Sequence, residues 1–206
     1  MRQYEKPDHW ALRAQKEGYP ARSVYKLQEL DEKFFLLPAS GQPFRVLDLG
    51  AAPGSWSLYV LRKAGSRRGF FLAAVDLAPL SRQYDQGLFE GERFSFIQGD
   101  FTLPGVRAAI EDQGPYNLIL CDAAPATTGN RSVDTLRSLV LAEEALNYAE
   151  TGLAKGGRLA VKVFQGGDTA GLLQKIRRLF GTGKSFKPQA CRSGSFETYY
   201  IGLDKR

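Results

Sequence analysis

Apolar residues along the chain change their spacing several times, and each change marks an element. Between Pro20 and about Phe35 they recur at helix spacing, with Val24, Leu27, Leu30 and Phe34 in one stripe and Pro20 opening the helix. Ahead of it, residues 1–19 are polar and mixed in charge, with Trp10 and Leu12 as apolar anchors. A loop from Pro38 to Pro43, containing Gly41, separates this extension from the rest of the chain. From Arg45 onward, short apolar runs alternate with helical patterns. Strands are predicted at 45–49, 70–75, 94–98, 117–121 and 158–164. Helices are predicted near 55–64, 79–88, 104–112, 134–151 and 169–180. Two further extended stretches, near 184–190 and 197–203, pair as a hairpin at one sheet edge, the last strand antiparallel. This alternation is that of βαβ units. It predicts an α/β fold: a Rossmann-like, doubly wound, mostly parallel seven-stranded sheet with an N-terminal helical extension. The expected organisation is a single domain over 1–206, with the extension at 1–40 and the core at 44–206.

The sharpest local signal is Phe44-Arg45-Val46-Leu47-Asp48-Leu49-Gly50-Ala51-Ala52-Pro53-Gly54-Ser55-Trp56, which reads as strand, tight turn and helix. In a doubly wound sheet that corner holds a nucleotide. Gly50 and Gly54 allow a sharp turn and close approach of a ligand. A dinucleotide fingerprint needs two more glycines, where Ala52 and Ser55 stand. A pyrophosphate is cramped by them; an adenosine bearing an amino-acid tail is not.

Ligands of such sheets collect at the carboxyl ends of the strands. Asp76 lies there, about 20 residues beyond the glycine turn, where a carboxylate accepts ribose hydroxyls. Asp100 ends the next strand and suits an adenine amino group. Asp122 ends Leu118-Ile119-Leu120-Cys121. Taken singly, each serves equally well as a helix N-cap. Lys162 interrupts Leu159-Ala160-Val161-Lys162-Val163-Phe164, a run typical of a strand covered on both faces. An ammonium there needs a partner, must lose its proton, or snorkels to the sheet rim.

Charge and composition narrow the classes. No apolar run approaches the ~18 residues of a membrane span, and no signal-peptide pattern opens the chain. Cys121 and Cys191 lack C-x-x-C spacing and read as reduced thiols of a cytoplasmic protein. One histidine and no cysteine cluster argue against zinc. Of the formal charge of +6, residues 155–206 carry 11 basic and 3 acidic groups. That excess points to a polyanionic partner such as nucleic acid, or to a merely solvated surface.

Together these segments resemble the FtsJ/RrmJ family of S-adenosylmethionine-dependent RNA 2′-O-ribose methyltransferases. The resemblance rests on Ala21-Arg22-Ser23-Val24-Tyr25-Lys26-Leu27 and on Asp48 to Ser57. It continues through Gln98-Gly99-Asp100-Phe101, Asp122-Ala123-Ala124-Pro125, Val161 to Gly166, and Glu197 before a Tyr-Tyr-Ile strand. It implies a class I methyltransferase domain and a catalytic tetrad at Lys26, Asp122, Lys162 and Glu197. It implies S-adenosylmethionine contacts at Gly50, Gly54, Trp56, Asp76, Asp100 and Asp122. The family often has Asn-Met-Ser-Gly after the Asp-x-Ala-Pro turn, where this chain has Ala126-Thr127-Thr128-Gly129, and Ser55 replaces a usual glycine. By resemblance to the short bacterial form, the expected substrate is a uridine of 23S rRNA within the large ribosomal subunit, acted on by a monomer. A tRNA ribose methyltransferase and a non-catalytic ribosome-assembly factor are the alternatives.

The reaction so implied needs alignment and a base for a weakly acidic hydroxyl. Lys162 is the expected base, oriented by Asp122, with Lys26 and Glu197 fixing the ribose and its neighbouring phosphate. Burial and a second cation at Lys26 would both favour a neutral amine. No thiol follows the fourth strand for cytosine C5 methylation. Ala126 cannot stack on a base as exocyclic-amine methylation requires. Lys175, Arg177, Arg178, Lys184, Lys187 and Arg192 are the expected phosphate contacts.

Overall fold

The computed structural model describes residues 8–38, 43–64, 67–166, 169–192 and 194–206. Two helices precede the sheet, α1 (His9–Lys16) and α2 (Val24–Phe34). Asp8 caps α1 by accepting the Ala11 N–H at 2.9 Å. Leu12 is not an anchor: it is 54 % exposed, and Ala14 with Trp10 packs on Tyr25 instead. Helix α2 begins at Val24 rather than Pro20, because residues before it are engaged elsewhere. Ser55 Oγ accepts the Ala21 N–H and donates to the Ala21 carbonyl. Val24, Leu27 and Leu30 are buried as the stripe requires, and Phe34 meets Phe186 edge-on. The loop expected from Pro38 to Pro43 falls largely on 39–42, outside the described residues.

The sheet is built from β1 (Phe44–Leu49), β2 (Phe70–Asp76), β3 (Phe94–Gln98), β4 (Tyr116–Cys121), β5 (Leu153–Phe164), β6 (Phe180–Phe186) and β7 (Glu197–Lys205). Its order is β3-β2-β1-β4-β5-β7-β6. Strands β1 to β5 pair in parallel, and β7 runs antiparallel between β5 and β6. The edge hairpin therefore forms, but β6 starts earlier than expected. Phe180 is fully buried and belongs to the core, while the Gln189 and Ala190 N–H groups are bound by the Glu29 carboxylate. Helices α3 (Ser55–Ala64), α4 (Pro104–Glu111), α5 (Arg131–Gly152) and α6 (Thr169–Leu179) cover the faces. One core packs α5 and α6 on Leu47, Leu49, Ile119, Leu159 and Val161; the other packs α2 and α3 on Val46, Leu118, Leu120, Ala160 and Ile201. None of the described helices is long and apolar enough to cross a membrane.

The helix predicted at 79–88 does not form. A single 3-10 turn, Leu88–Glu90, stands at its end. Its backbone groups bind other segments: the Ser81 N–H reaches the Pro53 carbonyl and Arg62 donates to the Tyr84 carbonyl. Gln86 and Gly87 adopt left-handed conformations. Leu80, Tyr84 and Leu88 still pack on one core, so their helical spacing is satisfied by a loop.

Candidate active site

A cleft of about 690 Å³ opens at the carboxyl ends of β1 to β4. Gly50, Ala52, Asp76, Asp100 and Asp122 line it, with Arg137 and Val140 of α5 as the far wall. Gly50 is fixed by sterics. Its φ is +75°, and a Cβ on it would lie 2.5 Å from the Ala123 Cα, so only glycine lets β1 turn beneath the segment after β4. Asp76 holds its carboxylate with both oxygens engaged once, by the Ala52 N–H at 2.9 Å and the Ala78 N–H at 2.8 Å. Each oxygen keeps a lone pair for a further donor. Asp100 anchors one oxygen on the Thr102 N–H and hydroxyl. The cleft volume and two braced carboxylates suit a nucleoside, whose ribose and base offer donors. Of the residues named from sequence, Gly54 and Trp56 do not line this cleft. Gly54 faces the Phe89 ring, and Trp56 is buried, donating to the Ser23 carbonyl at 2.8 Å.

Beside the cleft the structure brings together Lys26, Asp122, Lys162 and Glu197, from α2, the end of β4, β5 and the start of β7. Lys26 Nζ donates to Glu197 Oε2 at 2.9 Å. Lys162 Nζ lies 3.1 Å from Asp122 Oδ1 and also donates to the Asp122 carbonyl. Tyr199 stands opposite Lys162 in the β5–β7 register, and its hydroxyl donates to Asp122 Oδ1 at 2.6 Å. Burial works against charge on Asp122, but Lys162, Lys26 and the Tyr199 hydroxyl outweigh it and hold its carboxyl below the usual range. Burial likewise opposes the Lys26 ammonium, and the Asp122 and Glu197 carboxylates overcome it, raising its pKa. Cys191 is pushed up to about 12 by burial and then by the Glu197 carboxylate, so its thiol stays protonated. Cys121 is buried within β4 and also raised to about 12.

Two groups at or near the site are not singled out by sequence. Tyr199 resembles any aromatic of a buried strand; only its place across from Lys162 betrays a polar task. Asp48 sits in β1, fully buried, with Oδ2 accepting the Ser57 hydroxyl at 2.7 Å and Oδ1 without a partner among the described residues. Burial, with Asp122 and Asp76 adding to it, pushes its carboxyl up to about 7. A folded-state pKa above the unfolded value means the native state binds the extra proton. Stability from this group is therefore present at low pH and lost as pH rises from about 4 to about 7. Asp48→Asn cannot ionise. The difference in unfolding free energy between variant and wild type is expected to move toward the variant by on the order of 3 kcal/mol from pH 4 to pH 8. Parallel denaturant curves across that range would dismiss the assignment.

The cationic residues are less free than the sequence suggests. Lys175 pairs with Glu143, Lys187 donates to the Ser195 carbonyl, and Arg22 pairs with Asp8. Arg192 stays exposed near Arg22.

The profile of the FtsJ-like methyltransferase family matches residues 19–205. The chain is 51 % identical over 201 residues to the ribosomal RNA large subunit methyltransferase E of Treponema denticola, covering 98 % of this chain and 96 % of that one. It is 42 % identical to the protein of the same name from Oleidesulfovibrio alaskensis, covering 98 % and 93 %. A crystal structure described as a putative ribosomal RNA methyltransferase of Plasmodium falciparum superposes with TM-score 0.73 at 24 % identity, covering 91 % and 98 % of the two chains. Human methyltransferase-like protein 13 in complex with SAH superposes at 0.52 and 15 % identity, covering 79 % and 72 %. The sheet is thus that of the class I methyltransferases, and by sequence over nearly its whole length the chain belongs to the FtsJ-like methyltransferase family.

Proposed function

We propose that this protein methylates a ribose 2′-hydroxyl of large-subunit ribosomal RNA, with S-adenosylmethionine as donor. The observation that carries the reading is the pairing of Lys162 with Asp122 and of Lys26 with Glu197 at the edge of a nucleoside-sized cleft. The names of the relatives supply the RNA class. A uridine of 23S rRNA in the large subunit is the proposed target, and a monomer the proposed working unit.

S-adenosylmethionine supplies an activated methyl on a cationic sulfur. Asp76 would hold its ribose, Asp100 its adenine, and the Gly50–Ala52 turn and Asp122 its amino-acid end. The rest falls to the protein. As a neutral amine, Lys162 has two hydrogens and one lone pair. The Asp122 carbonyl and carboxylate accept both hydrogens. Once Lys162 has given up a proton, its lone pair would be left for the hydroxyl proton, and on this reading Lys162 is the base. Tyr199 fixes the Asp122 carboxylate, and so the amine. The Lys26 charge is offset by Glu197, and this pair is placed to seat the ribose and its adjoining phosphate.

The test is transfer of labelled methyl to unmodified large subunits, free 23S rRNA and bulk tRNA, with digestion of the product to nucleosides. Label is expected as 2′-O-methyluridine from ribosomal RNA. Label confined to tRNA or to a base would overturn the reading.

A further inference from the structure

The segment after β4 leads into α5 through Ala126-Thr127-Thr128-Gly129-Asn130, where the family pattern is broken. At the start of α5 lies a second cavity, of about 270 Å³, lined by Arg131, Ser132, Thr135, Leu136 and Gly166. Thr135 is 3 % exposed, and its Oγ1 has no partner among the described residues. An unpaired buried hydroxyl is costly, and most find a donor or acceptor. This one is directed at Gly166, where a Cβ would approach it to 3.3 Å. Gly166 has φ +137° and no side chain, so only its backbone stands against the hydroxyl, which is itself closed to solvent.

The chemistry of the lining is that of an anion site. Arg131 is exposed and brings a guanidinium; Ser132 brings a second hydroxyl. Helix α5 has 22 residues and presents the positive end of its dipole here. Its first amides are not the ligands, because the Asn130 side chain already accepts the Ser132 and Val133 N–H groups. Recognition therefore rests on side chains. The site also lies next to the tetrad. The Arg131 guanidinium packs over the Phe196 ring at 5.2 Å, and Phe196 immediately precedes Glu197. Gly166 comes after Lys162 on the way out of β5, and the Gln165 N–H donates to the Phe196 carbonyl.

We propose that this cavity is a phosphate subsite, in which Arg131, Ser132 and Thr135 hold a phosphodiester of the RNA strand beside the target nucleotide. The inference rests on the RNA-methyltransferase reading above. It assigns to α5 a strand-positioning task, separate from proton transfer. A phosphate oxygen accepts from the Arg131 guanidinium and the Ser132 hydroxyl, and a turn of the Thr135 side chain into the cavity it lines gives Oγ1 the partner it lacks.

Arg131→Gln and Thr135→Val test it, with Thr135→Ser restoring the hydroxyl. The probe is the unmodified large ribosomal subunit, with binding and methyl transfer both measured. Arg131→Gln is expected to raise KM for RNA about tenfold with kcat within about twofold, since a phosphate contact positions the strand. The slope of log affinity against log salt should fall by roughly 0.7–0.9, the contribution of one phosphate. Thr135→Val should raise KM about threefold, and Thr135→Ser should return it to the wild-type value. Unchanged KM and salt slope in Arg131→Gln, with an active wild type, would overturn the subsite alone. A wild type that binds the subunits without methylating them would overturn the functional reading, while the salt slopes still decide the subsite. A wild type that does not bind the subunits would overturn both.

Discussion

Lys162→Ala is expected to lower methyl transfer at least about a thousandfold, within the 10²–10⁴ that a general base contributes together with the loss of an oriented donor. Affinity for S-adenosylmethionine should change by no more than about threefold, on the order of 0.7 kcal/mol. The split follows from geometry, because Lys162 touches Asp122 but does not line the nucleoside cleft. Lys162→Arg sharpens the test. It keeps a cation beside Asp122 but cannot accept a proton at any working pH. An inactive Lys162→Arg with normal cofactor binding supports proton transfer at Nζ. Substantial turnover in Lys162→Arg would reduce Lys162 to an electrostatic partner of Asp122. Binding is read by calorimetry and turnover by labelled methyl transfer.

Among the described glycines, Gly50→Ala should be the most damaging. The added Cβ would meet the Ala123 Cα at 2.5 Å and its N at 2.6 Å, both main-chain atoms that cannot rotate away. Left-handed backbone adds roughly 1–2 kcal/mol, and overpacking about 1–3 kcal/mol more. The expected destabilisation is on the order of 2–5 kcal/mol, or about 4–20 °C in Tm at this chain length. Any protein that still folds must have moved β1 away from the segment carrying Asp122. Cofactor affinity should therefore fall with stability, by about tenfold or more. Thermal unfolding with and without S-adenosylmethionine measures both. A variant with wild-type Tm would show that the turn relaxes more readily than its contacts imply.

Much of the site is readable in the sequence because its residues violate local expectation. A lysine in a strand buried on both faces, and carboxylates closing successive strands, are conspicuous against an apolar background. What joins Lys26 and Glu197 to them is not readable locally. Those two side chains meet across 171 positions, and only family resemblance pairs them in advance of the structure. The strands are legible because their apolar runs are long enough to be unambiguous, whereas the 79–88 segment misleads for a definite reason. Leu80, Tyr84 and Leu88 recur every four residues, but periodicity reports which side chains face inward, not which backbone groups pair. Trp56 shows the opposite limit. Its position in a glycine-turn motif suggests a ligand contact, yet the ring lies in the core against Tyr199 at 5.8 Å. Asp48 sits inside that same motif, where a carboxylate draws no notice until its burial is known.

The place of β7 bears on how the protein is made. Because β7 lies between β5 and β6, it must enter the sheet after both have been translated, and it carries Glu197 with it. Glu197 then reaches back to Lys26, whose helix left the ribosome long before. A nascent chain halted short of Glu197 already contains every residue that lines the nucleoside cleft. It lacks the carboxylate that neutralises Lys26 and the tyrosine that fixes Asp122. The residues that line the donor cleft are thus all translated before those that complete the tetrad, and the insertion of β7 is the event that joins them.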